Sequence, residues 1–357
     1  MLTARNFAIC FAVRSSGAAL PAQYRDTLAL VLADPDVDSV IVIYIPVLPG
    51  DAAEIAAAIR DCTRSSQGKT VLATFMGASG VPAPLDPVPA YPFPERAVLA
   101  LAATTRYAAW RQMPAGEAVH FNAGEARLRS IIDPCVERGG GWLDPLEADS
   151  LLIAMGIRTS PLSLAQSPND AMEAAMRMRF PVALKAFGPD LLHKSDVGGV
   201  RLSLADECSV YDAFLELKVA VGDRMTGALV QPMAGAGVEM LIGATRDSLL
   251  GPVIALGAGG TLVELLGDVA FRLAPLVDSD PAAMIGELRC ARLLRGYRGS
   301  APVDETALRD TLLRVSALLE LCPEICELDI NPLIVQKEGA VPVDVRIRVQ
   351  ALPVAED

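Results

Sequence analysis

Two uninterrupted apolar runs, "SVIVIYIP" from Ser39 and "KTVLATFMG" from Lys69, constrain the fold most strongly. Such runs, rich in β-branched residues and without polar alternation, are typical of strands buried on both faces of a parallel sheet. The alanine-rich, helix-like segment "AAEIAAAIRDCTRSS" lies between them, and the helix-like "PERAVLALAATTRYAAWRQ" follows. Strand and helix alternating in this way predict a small α/β layer with right-handed crossovers.

The pattern changes further along the chain. Periodicity fades between about 116 and 140, where "ERGGGW" supplies three consecutive glycines, so a linker is predicted there. Beyond it, "PVALKAF" predicts a strand, and "GALVQPMA", "VEMLIGATRD" and "GPVIALGAGG" predict consecutive antiparallel strands. The segment "CELDINPLIVQKEGAVPVDVRIRV" predicts a hairpin.

Composition excludes several classes of protein. With 357 residues, 52% hydrophobic and 21% charged, the chain is expected to be globular, with two or three domains. A net charge of −12 argues against binding nucleic acid over a broad surface. No apolar run approaches a membrane span. The segment "FAICFAV" near the N-terminus has only a weak likeness to a signal peptide.

Seven scattered cysteines favour a reducing compartment, so a cytoplasmic location is expected. Cys322 and Cys326 have the spacing of metal ligands one helical turn apart, but no second pair or nearby histidine completes such a site. Burial as small hydrophobic side chains is the favoured interpretation.

Lys185 is the single charge in "PVALKAF", and a buried ammonium must meet an anion because it is costly to desolvate unpaired. A side chain that reaches from an edge strand to water is the alternative. The cluster Gly257–Gly260 follows another apolar run, and glycines let backbone N–H groups approach phosphate oxygens. A tight turn after the strand explains the same glycines, so both interpretations stay open.

Asp329, Asn331 and Asp344 offer side-chain oxygens from the two arms of the predicted hairpin, which suits a hard cation such as Mg²⁺. A hairpin with ordinary polar turn residues is the alternative. His193 lies in the polar stretch "LLHKSDVGGV". A neutral imidazole could accept a phosphoryl group there, with Lys194 offsetting its charge, or the stretch could be a solvated turn.

In this order the features resemble the ATP-grasp nucleotide-binding fold. "FPVALK" with "HKSDVGGV", then "GGTLVELLGDVAFRLAP", then "ELDINPLIV" with "VDVR" are similar to the ATP-grasp part of the NDP-forming acyl-CoA synthetases. This is the family of ADP-forming acetate–CoA ligases, which is related to succinyl-CoA synthetase. The earlier "LADPDVDSVIVIYIP", "KTVLATFMG" and "YPFPERAVLALA" resemble the flavodoxin-like domain of the same enzymes.

The resemblance implies an α/β fold class with four segments. Residues 1–115 would form a small parallel-sheet domain, flavodoxin-like and succinyl-CoA synthetase-like, and residues 116–140 a linker. An ATP-grasp domain of two α+β subdomains would follow, at 141–226 and 227–357.

The resemblance also implies a role for each matched residue around bound ATP or ADP and Mg²⁺. The implied groups are nucleotide binding by Lys185, Val230, Gln231, Met233 and Glu239, phosphate binding by Gly259, Gly260 and Arg272, and metal binding by Asn331 and Asp344. His193 would relay the phosphoryl group to the nucleotide, and Asp329 would steady the phosphohistidine.

Two parts of these enzymes have no counterpart in the sequence: the CoA-binding Rossmann domain and the domain with the main phosphorylated histidine. His120, in "AVHFNAGE", does not match the Ser-His-Thr-Gly setting of that histidine. The implied function is the nucleotide half of an acid–thiol ligase, with a separate CoA-binding subunit as partner. A non-catalytic nucleotide-binding regulatory module and a truncated remnant of the fused enzyme are the alternatives. Another ATP-grasp ligase is disfavoured because the HKSD loop is not general to that fold.

Overall fold

The computed structural model describes residues 20–45, 52–64, 68–76, 80–112, 114–188, 191, 197–260 and 267–352. The chain divides into two compact units, Met1–Pro114 and Ala115–Asp357. Within the described ranges, no helix combines the length and the apolar character needed to cross a bilayer.

The first unit contains a parallel sheet in the order β1-β2-β3. Its elements are α1 (Pro21–Ala33), β1 (Ser39–Tyr44), α2 (Ala52–Arg64), β2 (Thr70–Phe75), β3 (Ala90–Tyr91) and α3 (Pro94–Gln112). Ile55 and Ile59 of α2 and Val71 and Phe75 of β2 are buried in its core, together with Leu28 of α1. The predicted small parallel α/β layer is confirmed.

The second unit begins with α4 (Glu125–Glu137), β4 (Gly141–Trp142), α5 (Pro145–Ala154), β5 (Ser163–Ala165), α6 (Pro168–Met178), β6 (Val182–Phe187), β7 (Val200–Leu204), α7 (Glu207–Val221) and β8 (Gly227–Pro232). It continues with β9 (Val238–Asp247), β10 (Gly251–Ala258), β11 (Val269–Leu273), α8 (Asp280–Glu287), α9 (Ala291–Leu294), α10 (Glu305–Leu321), β12 (Ile325–Val335), β13 (Ala340–Pro342) and β14 (Val345–Val349).

Two antiparallel sheets organise this unit. The smaller has four strands in the order β5-β8-β6-β7, and α6 and α7 share its hydrophobic core. The larger has seven strands in the order β11-β10-β9-β12-β14-β4, with β13 paired to β12. One face of the larger sheet is buried with residues of α4, α5, α8 and α10 in a single core.

The predicted linker at 116–140 is wrong over most of its length. It contains α4, whose Leu128, Ile132 and Cys135 are buried in the core of the larger sheet. These positions recur at the spacing of one helical face, a pattern that the following glycines obscured. The two residues of β4 also pair with β14, so the segment just after 140 belongs to the larger sheet rather than to the first predicted subdomain.

The expectation of three consecutive antiparallel strands is correct for only two of them. β9 pairs with β10 along the whole of β10, whereas β8 lies in the four-stranded sheet between β5 and β6. Apolar patterning predicts that a strand exists, but its partner is chosen by packing in the folded chain.

The two cysteines with metal-ligand spacing lie in different settings. Cys322 is buried directly after α10, whereas Cys326 lies on β12 and its thiol donates to the carbonyl of Arg348. Burial raises the pKa of Cys322 to about 11, so this thiol stays protonated at neutral pH. The burial of Cys322 confirms the interpretation as a small hydrophobic side chain for that residue.

Asp304 ties the start of α10 to the β12–β13 turn. Its carboxylate accepts hydrogen bonds from the backbone N–H groups of Gly339, at 2.9 Å, and Ala307, at 3.0 Å. These bonds lower the pKa of Asp304 because they favour the charged carboxylate.

We expect Asp304→Ala to lower the free energy of unfolding by about 1 kcal/mol at pH 7, because the helix loses its cap. The pKa of Asp304 is lower in the folded state than in the unfolded state. The contribution of the carboxylate to the free energy of unfolding is therefore fully present above the unfolded-state pKa and is lost as pH falls through the folded-state pKa. Urea denaturation at pH 7 and at lower pH measures this. Asp310→Ala, which removes an exposed ion pair on the same helix, is the control and should change stability by less than about 0.5 kcal/mol. Equal losses in the two variants would contradict the prediction.

Candidate functional site

Lys185 is a buried lysine at the centre of the candidate site, with 7% of its surface exposed. It lies on β6, and its Nζ donates to Gln231 Oε1 at 2.9 Å and to the carbonyl oxygen of Val343 at 2.6 Å. Gln231 lies on β8 of the same sheet, whereas Val343 lies between β13 and β14 of the larger sheet. The ammonium is therefore held by polar groups from both sheets, which offsets the cost of its desolvation.

Two further predicted nucleotide-binding residues, Val230 and Met233, lie near the end of β8. Val230 is fully buried in the core of the four-stranded sheet, so its side chain is not available to a ligand. Met233 is partly exposed just beyond the strand, and its backbone N–H donates to the carbonyl of Pro181 at 3.0 Å. Their contact with a nucleotide stays a prediction.

The glycines after β10 pack closely against β9 and β12. The backbone N–H of Gly259 donates to the carbonyl of Glu239 at 2.8 Å, and that of Gly260 donates to Asn331 Oδ1 at 3.0 Å. Gly260 has a φ of +67°, and a Cβ on it would lie 2.2 Å from Glu239 Oε2. The turn therefore requires glycine, and it places the Glu239 carboxylate beside Gly260.

Asn331 and Asp344 face each other where β12 and β14 meet. The backbone N–H of Asn331 donates to the carbonyl of Asp344 at 3.0 Å. No three His, Cys, Asp or Glu side chains converge on a metal-binding position among the residues with a described placement. One carboxylate and one amide oxygen still fit Mg²⁺, which commonly takes few protein ligands and completes its shell with water and phosphate oxygens.

Backbone and side-chain hydrogen bonds thus join residues that are distant in sequence. Lys185 reaches the residue before Asp344, Asp344 bonds to Asn331, and Asn331 bonds to Gly260. The predicted nucleotide-binding Lys185, the predicted metal ligands Asn331 and Asp344, and the glycine turn at Gly260 are therefore connected by hydrogen bonds, and we call this set the arc.

Asp329 lies outside this arc, in a groove of about 420 Å³ on the face of the larger sheet that is not packed against the helices. We call this cavity the sheet groove; it is lined by Trp142, Gly243, Ala244, Thr245, Val253, Ala255, Phe271, Glu327, Leu328, Asp329 and Arg346. Of its polar lining, only Asp329 was predicted from the sequence as a site residue, although alternate positions along β9 and β12 contain the signal.

Arg272, predicted to bind phosphate, is engaged elsewhere. Its guanidinium donates to Glu287 at the end of α8, and its Nε lies 3.6 Å from Asp280 Oδ1. The hydrogen bond with Glu287 raises the pKa of Arg272. A phosphate-binding role for Arg272 stays a prediction.

His193 falls within residues 192–196, outside the described part of the chain. The described residues on either side, Leu191 and Val197, contact the core of the four-stranded sheet. His120 is exposed in the segment before α4.

A buried lysine between two antiparallel sheets, opposite a glycine turn and an Asn/Asp hairpin, is the arrangement of an ATP-grasp domain. The family model described as "ATP-grasp domain" matches residues 135–349. The chain belongs to this family and, within it, to the family that includes subunit beta of the ADP-forming acetate–CoA ligases.

Three proteins illustrate the similarity. The ADP-forming acetate–CoA ligase I of Archaeoglobus fulgidus is 34% identical over 93% of this chain and 49% of its own length. The subunit beta of the corresponding Pyrococcus furiosus enzyme is 32% identical over 62% of this chain and 97% of its own length. A structure of Ca. Korarchaeum cryptofilum dinucleotide-forming acetyl-coenzyme A synthetase 1, with coenzyme A and Mg-AMPPCP, is 37% identical with a TM-score of 0.56, covering 62% of this chain and all of that chain. The chain spans about half the length of the Archaeoglobus fulgidus enzyme.

We expect Gly259→Ala to destabilise the fold by about 1–3 kcal/mol, because overpacking forces backbone shifts. The added Cβ would lie 2.6 Å from the carbonyl oxygen of Met240 and 2.7 Å from its backbone nitrogen. The control is Gly286→Ala in α8, where a Cβ meets nothing within 4 Å. That helical substitution should be neutral or stabilising by up to about 1 kcal/mol. Chemical denaturation measures both, and a neutral Gly259→Ala would contradict the close packing.

Proposed function

We propose that this chain binds ATP or ADP with Mg²⁺ and acts as the nucleotide half of an ADP-forming acyl-CoA synthetase. The whole reaction converts carboxylate, CoA and ATP into acyl-CoA, ADP and phosphate. The phosphoryl group would pass between the nucleotide and the main phosphohistidine of a CoA-binding partner subunit by way of His193, with Asp329 steadying the phosphorylated imidazole. The cytoplasm supplies these substrates, and we place the protein there.

The buried ammonium of Lys185 is the observation that carries this proposal. A lysine that is 7% exposed is costly to maintain unless it meets strong acceptors, and phosphate oxygens are stronger acceptors than a carbonyl or an amide. Val343, one of its partners, directly precedes the predicted metal ligand Asp344. A nucleotide phosphate beside Lys185 would therefore lie next to that ligand.

The metal site is supported by the chemistry of its donors. Asn331 and Asp344 would hold Mg²⁺, which would neutralise phosphate charge when bound. Asn331 Oδ1 also accepts from the N–H of Gly260, which orients the amide oxygen. The solved relative bound to Mg-AMPPCP supports the same cofactor pair here.

A partner subunit is supported by the organisation of the relatives. The Pyrococcus furiosus relative is named as a subunit beta, whereas the Archaeoglobus fulgidus relative is a single chain about twice as long as the matched part. The solved relative has a phosphohistidine segment that points towards its nucleotide-binding site. We therefore propose that a separate CoA-binding subunit supplies this segment to our chain.

We expect Lys185→Met to weaken Mg²⁺-dependent binding of ATP and ADP by roughly tenfold or more, since a charge-assisted bond to phosphate is lost. Isothermal titration with and without Mg²⁺ measures this. Lys218→Met is the control, because Lys218 is exposed on α7 and donates to the carbonyl of Met225. Unchanged affinity in a folded Lys185→Met variant would argue against a nucleotide at this lysine.

We expect His193→Asn to abolish phosphorylation of the chain by ATP labelled at its terminal phosphate. A phosphohistidine is labile in acid and stable in base, so the label should be recoverable only under basic conditions. His120→Asn provides a matched control because His120 is the other histidine in the sequence. Equal labelling of His193→Asn and wild type would remove His193 from the pathway.

A further inference from the structure

We propose that Arg346 is a further phosphate-binding residue of this site, whose guanidinium binds the terminal phosphoryl group of the nucleotide. Arg346 stands in the "VDVR" motif, two residues after the predicted metal ligand Asp344. The inference rests on the proposed nucleotide-binding function and identifies the arginine that acts in it.

The register of the larger sheet places Arg346 on the open face. Arg346 on β14 stands directly opposite Asp329 on β12, which stands opposite Gly243 on β9. The same row continues to Ala255 on β10 and Phe271 on β11. Residues directly opposite one another in a sheet share a face. All five residues line the sheet groove, so Arg346 and Asp329 both lie at this cavity.

The neighbouring row faces the helices. It runs through Ile347, Leu328, Ala244, Ile254 and Arg272. The four apolar members are buried in the core of the larger sheet. Because successive residues alternate faces, Arg272 points away from the sheet groove, where Asp329 lies. Its ion pair with Glu287 of α8 agrees with that direction.

Arg346 also reaches the predicted metal site. Its Nη2 lies 3.6 Å from Asp344 Oδ2, and its side chain is 24% exposed. A second cavity, of about 460 Å³, is lined by Arg346 together with Phe187, the last residue of β6, and Gly188 and Leu191, which follow that strand. Arg346 is thus placed between the sheet groove, the metal ligand Asp344 and the end of the strand that carries Lys185.

Charge and geometry both favour a phosphate as the ligand. Glu327 and Asp329 make the sheet groove acidic, so a phosphoryl dianion needs a cation there to offset the repulsion. A guanidinium can bind two phosphate oxygens at once and stays charged at any physiological pH. A half-buried guanidinium is also screened less by solvent than an exposed one.

The test compares MgATP with MgADP, because only ATP carries the terminal phosphoryl group. We expect Arg346→Gln to lower the affinity for MgATP by roughly tenfold or more and to leave that for MgADP within about twofold. Arg346→Lys should lower the affinity for MgATP by less, since lysine keeps the positive charge but cannot contact two phosphate oxygens at once. Isothermal titration of the full chain measures each affinity, and thermal unfolding verifies that each variant is folded.

The matched control is Arg348→Gln. Arg348 is on the same strand and the same face, stands opposite Glu327 and is exposed, so its loss should alter neither affinity. Asp344→Asn should instead weaken both nucleotides, because Mg²⁺ accompanies each.

An equal loss of MgATP and MgADP in Arg346→Gln would show that Arg346 acts only by supporting Asp344, and would overturn the proposal. Unchanged MgATP affinity would overturn it as well. If Arg346→Gln does not fold, the affinities for MgATP and MgADP are compared in Arg346→Lys instead, and the same outcomes support or overturn the proposal. Wild-type chain that binds neither nucleotide would overturn the proposed function itself, a result distinct from failure of Arg346 alone.

Discussion

The alternation of side chains between the two faces of the seven-stranded sheet is the constraint on which the site depends. One set of alternate residues, including Ile242, Ile254 and Leu328, is buried with the helices, and each such aliphatic side chain contributes about 1.5–3 kcal/mol. The intervening set can therefore be polar, and it includes Asp329 and Arg346. A register slip of one residue would exchange the two sets, so burial of the core also fixes the chemistry of the sheet groove.

Lys185 connects this sheet to the smaller one. Its ammonium donates to Gln231 in its own sheet and to the carbonyl of Val343 in the larger sheet. A buried charge without such partners would cost several kcal/mol, so the contact favours a fixed relation between the two sheets of this unit. The glycine turn is tied to β12 in a similar way, because the backbone N–H of Gly260 donates to the amide oxygen of Asn331.

The proposed function divides the reaction into phosphate and metal binding by this chain and binding of CoA and carboxylate by its partner. The described residues of the second unit supply positive charge and hard oxygen ligands, which are groups that bind phosphate and its metal. In the function that we propose, activation of the carboxylate and binding of CoA belong to the partner. A chain that spans about half of its single-chain relative is consistent with this division. The sheet groove contains both carboxylates and a guanidinium. In the proposed function, this groove would be where the chain and its CoA-binding partner exchange a phosphoryl group.

Local patterns in the sequence were sufficient for the parallel sheet around β1 and β2 and for the family, because each strand pattern and each family motif is formed by residues close together in the chain. Packing over long range decided the rest. The glycines after α4 obscured its buried stripe, and nothing in β8 reveals that it pairs with β5 and β6 rather than β9. The sequence likewise places Arg272 and Arg346 each in a family motif, and the resemblance implies phosphate binding for Arg272 alone. Only the register of five strands shows that the two arginines lie on opposite faces of the sheet, since a side chain's face depends on its neighbours across the sheet.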